Sequence, residues 1–277
     1  MSPEWRAELE AAVGPVARVT SVGGGDINEA HCAVLADGSR VFVKSHAAPP
    51  PGMFAAEAHG LGWLAAGPLR VPRVIAHGHA FLALEWLELG GRRDDAALGR
   101  ALAQLHAVGA PGFGLDRGNY LATIAQDNMP ASDVATFYVE RRLRPLVRTL
   151  RAHSLETKLD ALLAAPARFG PPEPPARLHG DLWWGNVGFA GGAPVIFDPA
   201  VYGAHREIDL AMLALFGGVS DTLVSAYHEV YPLEPEWRTR VTLWQLYPIA
   251  AHAVLFGGGY TSQLGRMLDV VTTAHGR

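Results

Sequence analysis

Three polar side chains in the second half of the chain have types and spacings suited to moving a phosphoryl group. Asn186 lies five residues after Asp181, and Asp198 lies 17 residues after Asp181, directly behind three apolar residues. Phosphoryl transfer needs a carboxylate that positions the attacking hydroxyl and accepts its proton, together with oxygen ligands for Mg²⁺. We therefore predict Asp181 as the catalytic base and Asn186 and Asp198 as magnesium ligands.

An alternative for both aspartates is a plain turn, because aspartate is common in turns and each one neighbours glycine or proline. Asp198, however, ends a predicted strand, where a buried carboxylate is costly unless a cation or hydrogen-bond donors compensate it. The series from His179 to Asn186 also has the form H-x-D-x-x-x-x-N of a kinase catalytic loop. The combined spacing favours the catalytic interpretation.

A lysine for the nucleotide phosphates is predicted on the third strand. Lys44 follows the apolar residues 41–43, and it is one of only two lysines among 23 basic residues. A compact ammonium suits phosphate as a point charge, which a guanidinium does not. Glu57, on the next predicted helix, is the expected partner of Lys44, and a solvated helix carboxylate is the alternative.

Two further segments are predicted to contact the nucleotide through their backbone. A glycine turn between two strands lets N–H groups approach phosphate oxygens, although the same residues also suit an ordinary hairpin. The end of the fifth strand leads into a connector that, in a kinase-like fold, faces adenine. The residues are Gly23, Gly24, Gly25, Asn28, Glu85, Trp86 and Leu87.

The elements that must position these residues fall into two predicted parts. Residues 1–88 show strand patterns at 16–22, 31–35, 40–43, 73–75 and 81–84, with helices at 2–14 and 53–64. Residues 89–277 begin with a connector to 95 and show helices at 95–107, 133–152, 154–165, 206–216, 220–230 and 235–256, interrupted by 177–198. We predict an α+β, bilobal protein-kinase-like fold, with an antiparallel sheet and one main helix in a nucleotide-binding lobe and a mainly helical catalytic and acceptor-binding lobe.

Composition excludes several classes of protein. The 277 residues are 49% hydrophobic and 18% charged, which suits a globular chain with a sizeable core. A net charge of −4 argues against nucleic acid or an anionic membrane as a partner. With one cysteine, no signal-peptide pattern and no long apolar run, we expect a cytoplasmic protein without disulfides. The basic run 141–144 could attract an anionic substrate, but a solvated helix face is the favoured interpretation.

The loop from Leu178 to Asn186 reads LHGDLWWGN and closely resembles the LHGDLWSGN loop of the fructosamine kinases. The segments that begin at Asp198 and Phe216 are also similar to that family, and the resemblance runs from Gly23 to about Arg266. It implies phosphorylation of a sugar hydroxyl, the 3-hydroxyl of a ketoamine, with ATP and Mg²⁺, and hence deglycation of small-molecule or protein amines.

The resemblance also implies an acceptor side of the site. Asn119, Trp183 and Trp184 lie in the segments that carry the resemblance, and we expect them to contact the substrate. Trp184 replaces the usual serine, so we expect it to narrow or reshape the acceptor pocket.

Two alternatives stay open. A relative of the same fold that acts on an aminoglycoside, a choline-like amine or another sugar would share every residue on the ATP side. A nucleotide-binding pseudokinase is the alternative from another class, and the joint presence of Lys44, Asp181, Asn186 and Asp198 argues against it. The sequence leaves open the sugar and amine of the acceptor, the oligomeric state and any regulation.

Overall fold

The amino-terminal part of the chain is built on one five-stranded antiparallel sheet. A computed structural model describes residues 3–23 and 28–273. The sheet order is β1-β2-β3-β5-β4, so β5 pairs with both β3 and β4. The strands and their two helices are α1 (Pro3–Val13), β1 (Val16–Ser21), β2 (Glu29–Leu35), β3 (Arg40–Ser45), α2 (Met53–Leu64), β4 (Val74–His77) and β5 (Phe81–Glu85).

The alternation of side chains along β3 directs Lys44 toward α2. Val41 and Val43 pack on the side of the sheet that holds Trp5 of α1. Phe42 packs on the opposite side with Phe54 of α2. Because side chains point alternately to the two faces of a strand, Lys44 shares the face of Phe42. The sheet therefore presents this lysine to the helix that carries Glu57.

The remainder of the chain is mainly helical, with three two-stranded hairpins or pairs inserted between the helices. Asp94 begins α3 by accepting a hydrogen bond from Ala97 N at 2.8 Å. The elements are α3 (Asp95–Ala107), β6 (Asn119–Leu121), β7 (Ile124–Gln126), α4 (Val134–Thr136), α5 (Arg144–Thr149), α6 (Glu156–Leu163), β8 (Ala176–Leu178), β9 (Val187–Ala190), β10 (Ala193–Ile196), β11 (Tyr202–Ala204), α7 (Glu207–Leu215), α8 (Asp221–Val230), α9 (Val241–Trp244), α10 (Leu246–Phe256) and α11 (Tyr260–Thr273). This arrangement confirms the predicted α+β class, while the division at residues 88 and 89 stays a prediction.

The helix predicted over 133–152 is interrupted by a π-helical segment, Phe137–Leu143, between α4 and α5. Pro145 has no N–H to donate to the carbonyl of Arg141, and the Arg142 side chain donates to that carbonyl instead, at 3.3 Å. The solvated-face interpretation is wrong for two residues of the basic run. Arg142 is 1% exposed, and Arg144 is buried in ion pairs with acidic side chains.

Three other elements differ from the predictions. The helix predicted over 235–256 is divided into a 3₁₀ turn (Trp237–Arg240), α9 and α10. The hairpin of β6 and β7 and the carboxy-terminal helix α11 were not predicted. In α11 the buried Leu264 and Leu268 have the i, i+4 spacing of an amphipathic helix, so a sequence signal was present.

The two parts of the chain meet along the segment that leads to Asp198. Ile196 N donates to Arg70 O at 3.0 Å, and Arg177 lies over the ring of Trp63 at 4.4 Å. In the described part of the chain, helices are too short or too polar to cross a membrane.

Candidate active site

The ammonium of Lys44 joins three elements at the junction of the two parts. Its Nζ donates to both carboxylate oxygens of Glu57, at 2.8 and 2.9 Å, and to Asp198 Oδ1 at 3.0 Å. Burial alone would lower the pKa of Lys44, but the carboxylates of Asp198 and Glu57 outweigh it and raise that pKa well above its ordinary value. The lysine is therefore charged at neutral pH and fixed in place.

Asp198 reaches Lys44 because of an unusual backbone conformation. Its φ of 59° lies in the left-handed region, which a residue other than glycine rarely adopts. Hydrogen bonds on both sides hold the segment there: Phe197 N donates to Asn186 O at 3.1 Å, and Ala200 N donates to His179 O at 2.9 Å. The turn takes the carboxylate out of line with β10 and places it in the cleft.

Asp209 supports the loop that begins at His179. Its buried carboxylate accepts hydrogen bonds from His179 N at 2.8 Å and Gly180 N at 3.0 Å, and His106 Nε2 lies 3.2 Å from it. Burial by itself raises the pKa of Asp209, but these donors and the histidines lower it below its ordinary value. Gly180 has a φ of 80°, and a Cβ there would collide with the carbonyl of Ala200. The loop is thus held from behind by a charged acceptor.

Asp181 and Asn186 contact each other at the front of this loop. Asn186 Nδ2 donates to Asp181 O at 2.8 Å and to Asp181 Oδ2 at 3.2 Å. Burial, aided by the negative charge of Asp198, raises the pKa of Asp181 to about 7. A carboxylate with that pKa is suited to accept a proton near neutral pH.

The side chains of Asn186 and Asp198 fit a magnesium ion held jointly with phosphate. The NH₂ group of Asn186 points to Asp181, which leaves the amide oxygen as the atom that can face a cation. Asp198 is 41% exposed at its side chain, so it can share a hydrated ion. Among residues 3–23 and 28–273 there is no group of three or more His, Cys, Asp or Glu that could enclose a metal. Mg²⁺ is usually bound by only a few protein side chains together with phosphate oxygens and water.

On the predicted nucleotide side, the polar side chains of the connector are already engaged. Glu85 accepts hydrogen bonds from Arg70 Nη2 at 2.9 Å and Arg73 N at 3.2 Å. The Trp86 Nε1 donates to Glu88 at 3.0 Å. We therefore expect Glu85, Trp86 and Leu87 to meet a nucleotide through their backbone.

Only part of the predicted glycine turn is described. Gly23 and Asn28 are described and flank the turn between β1 and β2, whereas Gly24 and Gly25 lie outside the described residues. The first residue of the helix predicted over 2–14 also lies outside them. The role of this turn stays a prediction.

A small cavity beside Asp181 was missed from the sequence. Its walls come from the catalytic loop, the β6–β7 hairpin, β11, α7, α9 and α10. The lining residues are Leu121, Gly180, Asp181, Tyr202, Ile208, Met212, Trp244, Tyr247 and Pro248. No local pattern could have grouped them, because they lie up to 127 residues apart in the chain.

Asn119, expected to contact substrate, is hydrogen-bonded within the protein, and its contact with substrate stays a prediction. Its Nδ2 donates to Val201 O at 2.8 Å, and its Oδ1 accepts from Asn128 Nδ2 at 2.9 Å. The side chain is 6% exposed. Its hydrogen-bonding capacity is thus used to fix the segment after Asp198.

The two tryptophans after Asp181 have different surroundings. The Trp183 ring lies against Gly185, where a Cβ would collide with it, and is 41% exposed. Trp184 turns to the connector: the guanidinium of Arg93 lies 3.5 Å from its ring centre, and its Nε1 donates to Gly218 O at 2.9 Å. The structure therefore does not show the expected narrowing of the acceptor pocket by Trp184, and that residue does not line the cavity beside Asp181.

Comparison with known proteins places these features in context. The family model described as fructosamine kinase matches residues 2–274. A protein of Synechocystis sp. named "Probable ketoamine kinase" is 41% identical over 261 residues, covering 90% of this chain and 88% of that protein. The crystal structure of a candidate fructosamine-3-kinase from Thermobifida fusca has a TM-score of 0.87 at 37% identity, over 97% of this chain and 98% of that one.

A more distant likeness concerns the fold alone. The macrolide 2′-phosphotransferase of Brachybacterium faecium has a TM-score of 0.61 at 16% identity, over 99% of this chain and 100% of that one. This similarity confirms the predicted protein-kinase-like fold.

Proposed function

Because this chain belongs to the fructosamine kinase family, we propose that it is an ATP-dependent kinase that phosphorylates the 3-hydroxyl of a ketoamine. The observation that carries the proposal is the convergence of five side chains. Lys44 contacts Glu57 and Asp198, and Asn186 contacts Asp181 and the backbone carbonyl of Asp198. These are the charges that phosphoryl transfer requires, on elements fixed by buried hydrogen bonds.

Lys44 is proposed to hold the phosphates of ATP, with Glu57 keeping the ammonium in position. Asp198 and Asn186 would hold Mg²⁺, which when bound supplies positive charge to the phosphate oxygens. The Lys44 contact to Asp198 ties the phosphate-binding and metal-binding groups together, so that both are preorganised before substrate arrives.

Asp181 is proposed to orient the sugar hydroxyl and to accept its proton as the oxygen attacks the γ-phosphate. Its neighbour Asn186 holds the carboxylate, and Asp209 fixes the loop backbone behind it. The product is a ketoamine phosphate that releases its amine, so the activity would favour deglycation. A cytoplasmic location stays a prediction.

The test is a substrate panel with purified protein, MgATP, and phosphate transfer measured by ³¹P NMR. Ketoamines should be phosphorylated on the hydroxyl of carbon 3, whereas an aminoglycoside, choline and free sugars should not be phosphorylated. Preferred turnover of one of these other acceptors would indicate the alternative enzyme of the same fold. ATP binding without transfer to any acceptor would indicate the pseudokinase.

Asp181→Asn tests the proposed base in the same assay. We expect turnover to fall about 10²–10⁴-fold with nearly unchanged ATP affinity, because the change removes proton acceptance and leaves the nucleotide contacts. Asp221→Asn is the matched control, since Asp221 has a side chain 96% exposed on α8. Normal turnover in a folded Asp181→Asn protein would exclude Asp181 as the base.

A further inference from the structure

Two helices that line the cavity beside Asp181 extend beyond it. Met212 of α7 and Pro248 of α10 line it. One helical turn further, at i+4, the residues are Phe216 at the end of α7 and His252 on α10. Residues four apart lie on the same face of a helix. The two rings therefore lie next to the cavity-lining residues, on the same faces of the two helices.

The rings form a continuous surface, which we call the aromatic strip: Trp183, Phe216, His252, Phe256 and Tyr260. The ring centre of Phe216 is 6.4 Å from that of Trp183 and 5.2 Å from that of His252. His252 is 5.5 Å from Phe256 and 5.4 Å from Tyr260. The strip thus begins two residues after Asp181 and ends on the last helix.

Three members of the strip are exposed although they are aromatic, and His252 and Tyr260 are half-buried. Phe216 is 48% exposed and Phe256 is 56% exposed, as is much of Trp183. The ring of His252 is fixed, because Nδ1 donates to Pro248 O at 2.7 Å. Rigid aromatic surface that is left uncovered beside a cleft is typical of a ligand subsite.

We propose that the aromatic strip binds the amine substituent of the ketoamine acceptor and favours substituents with an apolar or aromatic body. The inference rests on the proposed function, which places the sugar at Asp181. The secondary amine next to that sugar is cationic near neutral pH, and aromatic faces attract cations as well as apolar groups. The helix rises about 12 Å from Pro248 to Phe256. The strip is therefore long enough to contact a substituent much larger than a methyl group.

Two ketoamines of one sugar, those of benzylamine and of methylamine, test the proposal. We expect the wild-type enzyme to have the higher kcat/KM for the benzylamine ketoamine. Phe216→Ser should lower the ratio of the two kcat/KM values about fivefold to tenfold, the size of one lost aromatic contact. Phe256→Ser is a second variant at a more exposed position, where folding is less at risk. The control is Val270→Ser, because Val270 is 56% exposed on α11 and lies outside the strip.

The outcomes separate this inference from the proposed function. Phosphorylation of both ketoamines with equal kcat/KM in the wild-type enzyme would overturn the inference and leave the proposed function standing. So would an unchanged ratio in both folded serine variants. Failure to phosphorylate either ketoamine would remove the proposed function, and the inference with it. A matching loss in Val270→Ser would also overturn the inference, because the preference would then not depend on the strip.

Discussion

Replacing Lys44 by methionine removes the ammonium and leaves a side chain of similar length. Two carboxylates lose their partner, but they differ in exposure. The Glu57 side chain is 10% exposed, whereas that of Asp198 is 41% exposed and can be hydrated. Removing the cation of an ion pair costs about 3–5 kcal/mol of stability when the remaining carboxylate is buried. The cost is about 1 kcal/mol or less when the remaining carboxylate is solvated. We expect a loss of about 3 kcal/mol in the free energy of unfolding at pH 7, mostly through Glu57.

This loss should depend on pH with a defined sign. Burial raises the pKa of Glu57, and Lys44 opposes that effect. Without the ammonium, the folded-state pKa of Glu57 lies further above its unfolded value of about 4.3. Stability linked to a raised carboxyl pKa is present below the unfolded value and is lost as the pH rises through the folded value. The Lys44→Met protein should therefore approach wild-type stability near pH 4 and fall behind it toward pH 8.

The assay is urea denaturation at several pH values, with turnover of ATP and acceptor measured in parallel. Adding Glu57→Gln to Lys44→Met should recover most of the lost stability and remove its pH dependence, while turnover stays at least about 10²-fold low. Lys158→Met is the control, because Lys158 is the other lysine of the chain and pairs with Asp269 on the surface. A Lys44→Met protein with wild-type stability throughout, or a double variant no more stable than the single one, would refute the reasoning.

Three further variants test separate parts of the site. Asp198→Asn keeps the side-chain shape but loses the charge for Mg²⁺, so calorimetry should show that magnesium-dependent ATP binding is abolished. The free energy of unfolding should change by about 1 kcal/mol or less. Unchanged binding would contradict the metal role. Trp184→Ser removes the stacking of Arg93 on the indole ring and should lower the free energy of unfolding, measured by thermal denaturation, by about 1–3 kcal/mol. The preference among ketoamines should not change, and an altered preference would place Trp184 in the acceptor site. Asp209→Asn should lower the free energy of unfolding by about 2–4 kcal/mol relative to the wild-type protein at pH 7. Because the pKa of Asp209 is lowered, the difference should shrink as the pH falls below about 4, and a constant difference would argue against a charged Asp209.

The predictions that succeeded rest on short-range patterns. The helix at 53–64 and the helix at 95–107 have the predicted bounds, because periodicity, a capping aspartate before 95 and a Gly-Pro stop after 64 are local signals. Lys44 lies on the third strand as predicted, because the apolar residues before it form a local strand pattern.

Local sequence patterns were sufficient to predict the fold class, the bounds of several elements and the residues that we propose move a phosphoryl group. Which groups meet across the chain depends on tertiary packing. Trp184 stacks on Arg93, 91 residues before it, and Arg142 is buried although the basic run suggested a wet helix face. The cavity beside Asp181 and the aromatic strip bring together residues far apart in the sequence. Such contacts depend on how helices pack, and packing is set by the whole core rather than by spacing within one segment.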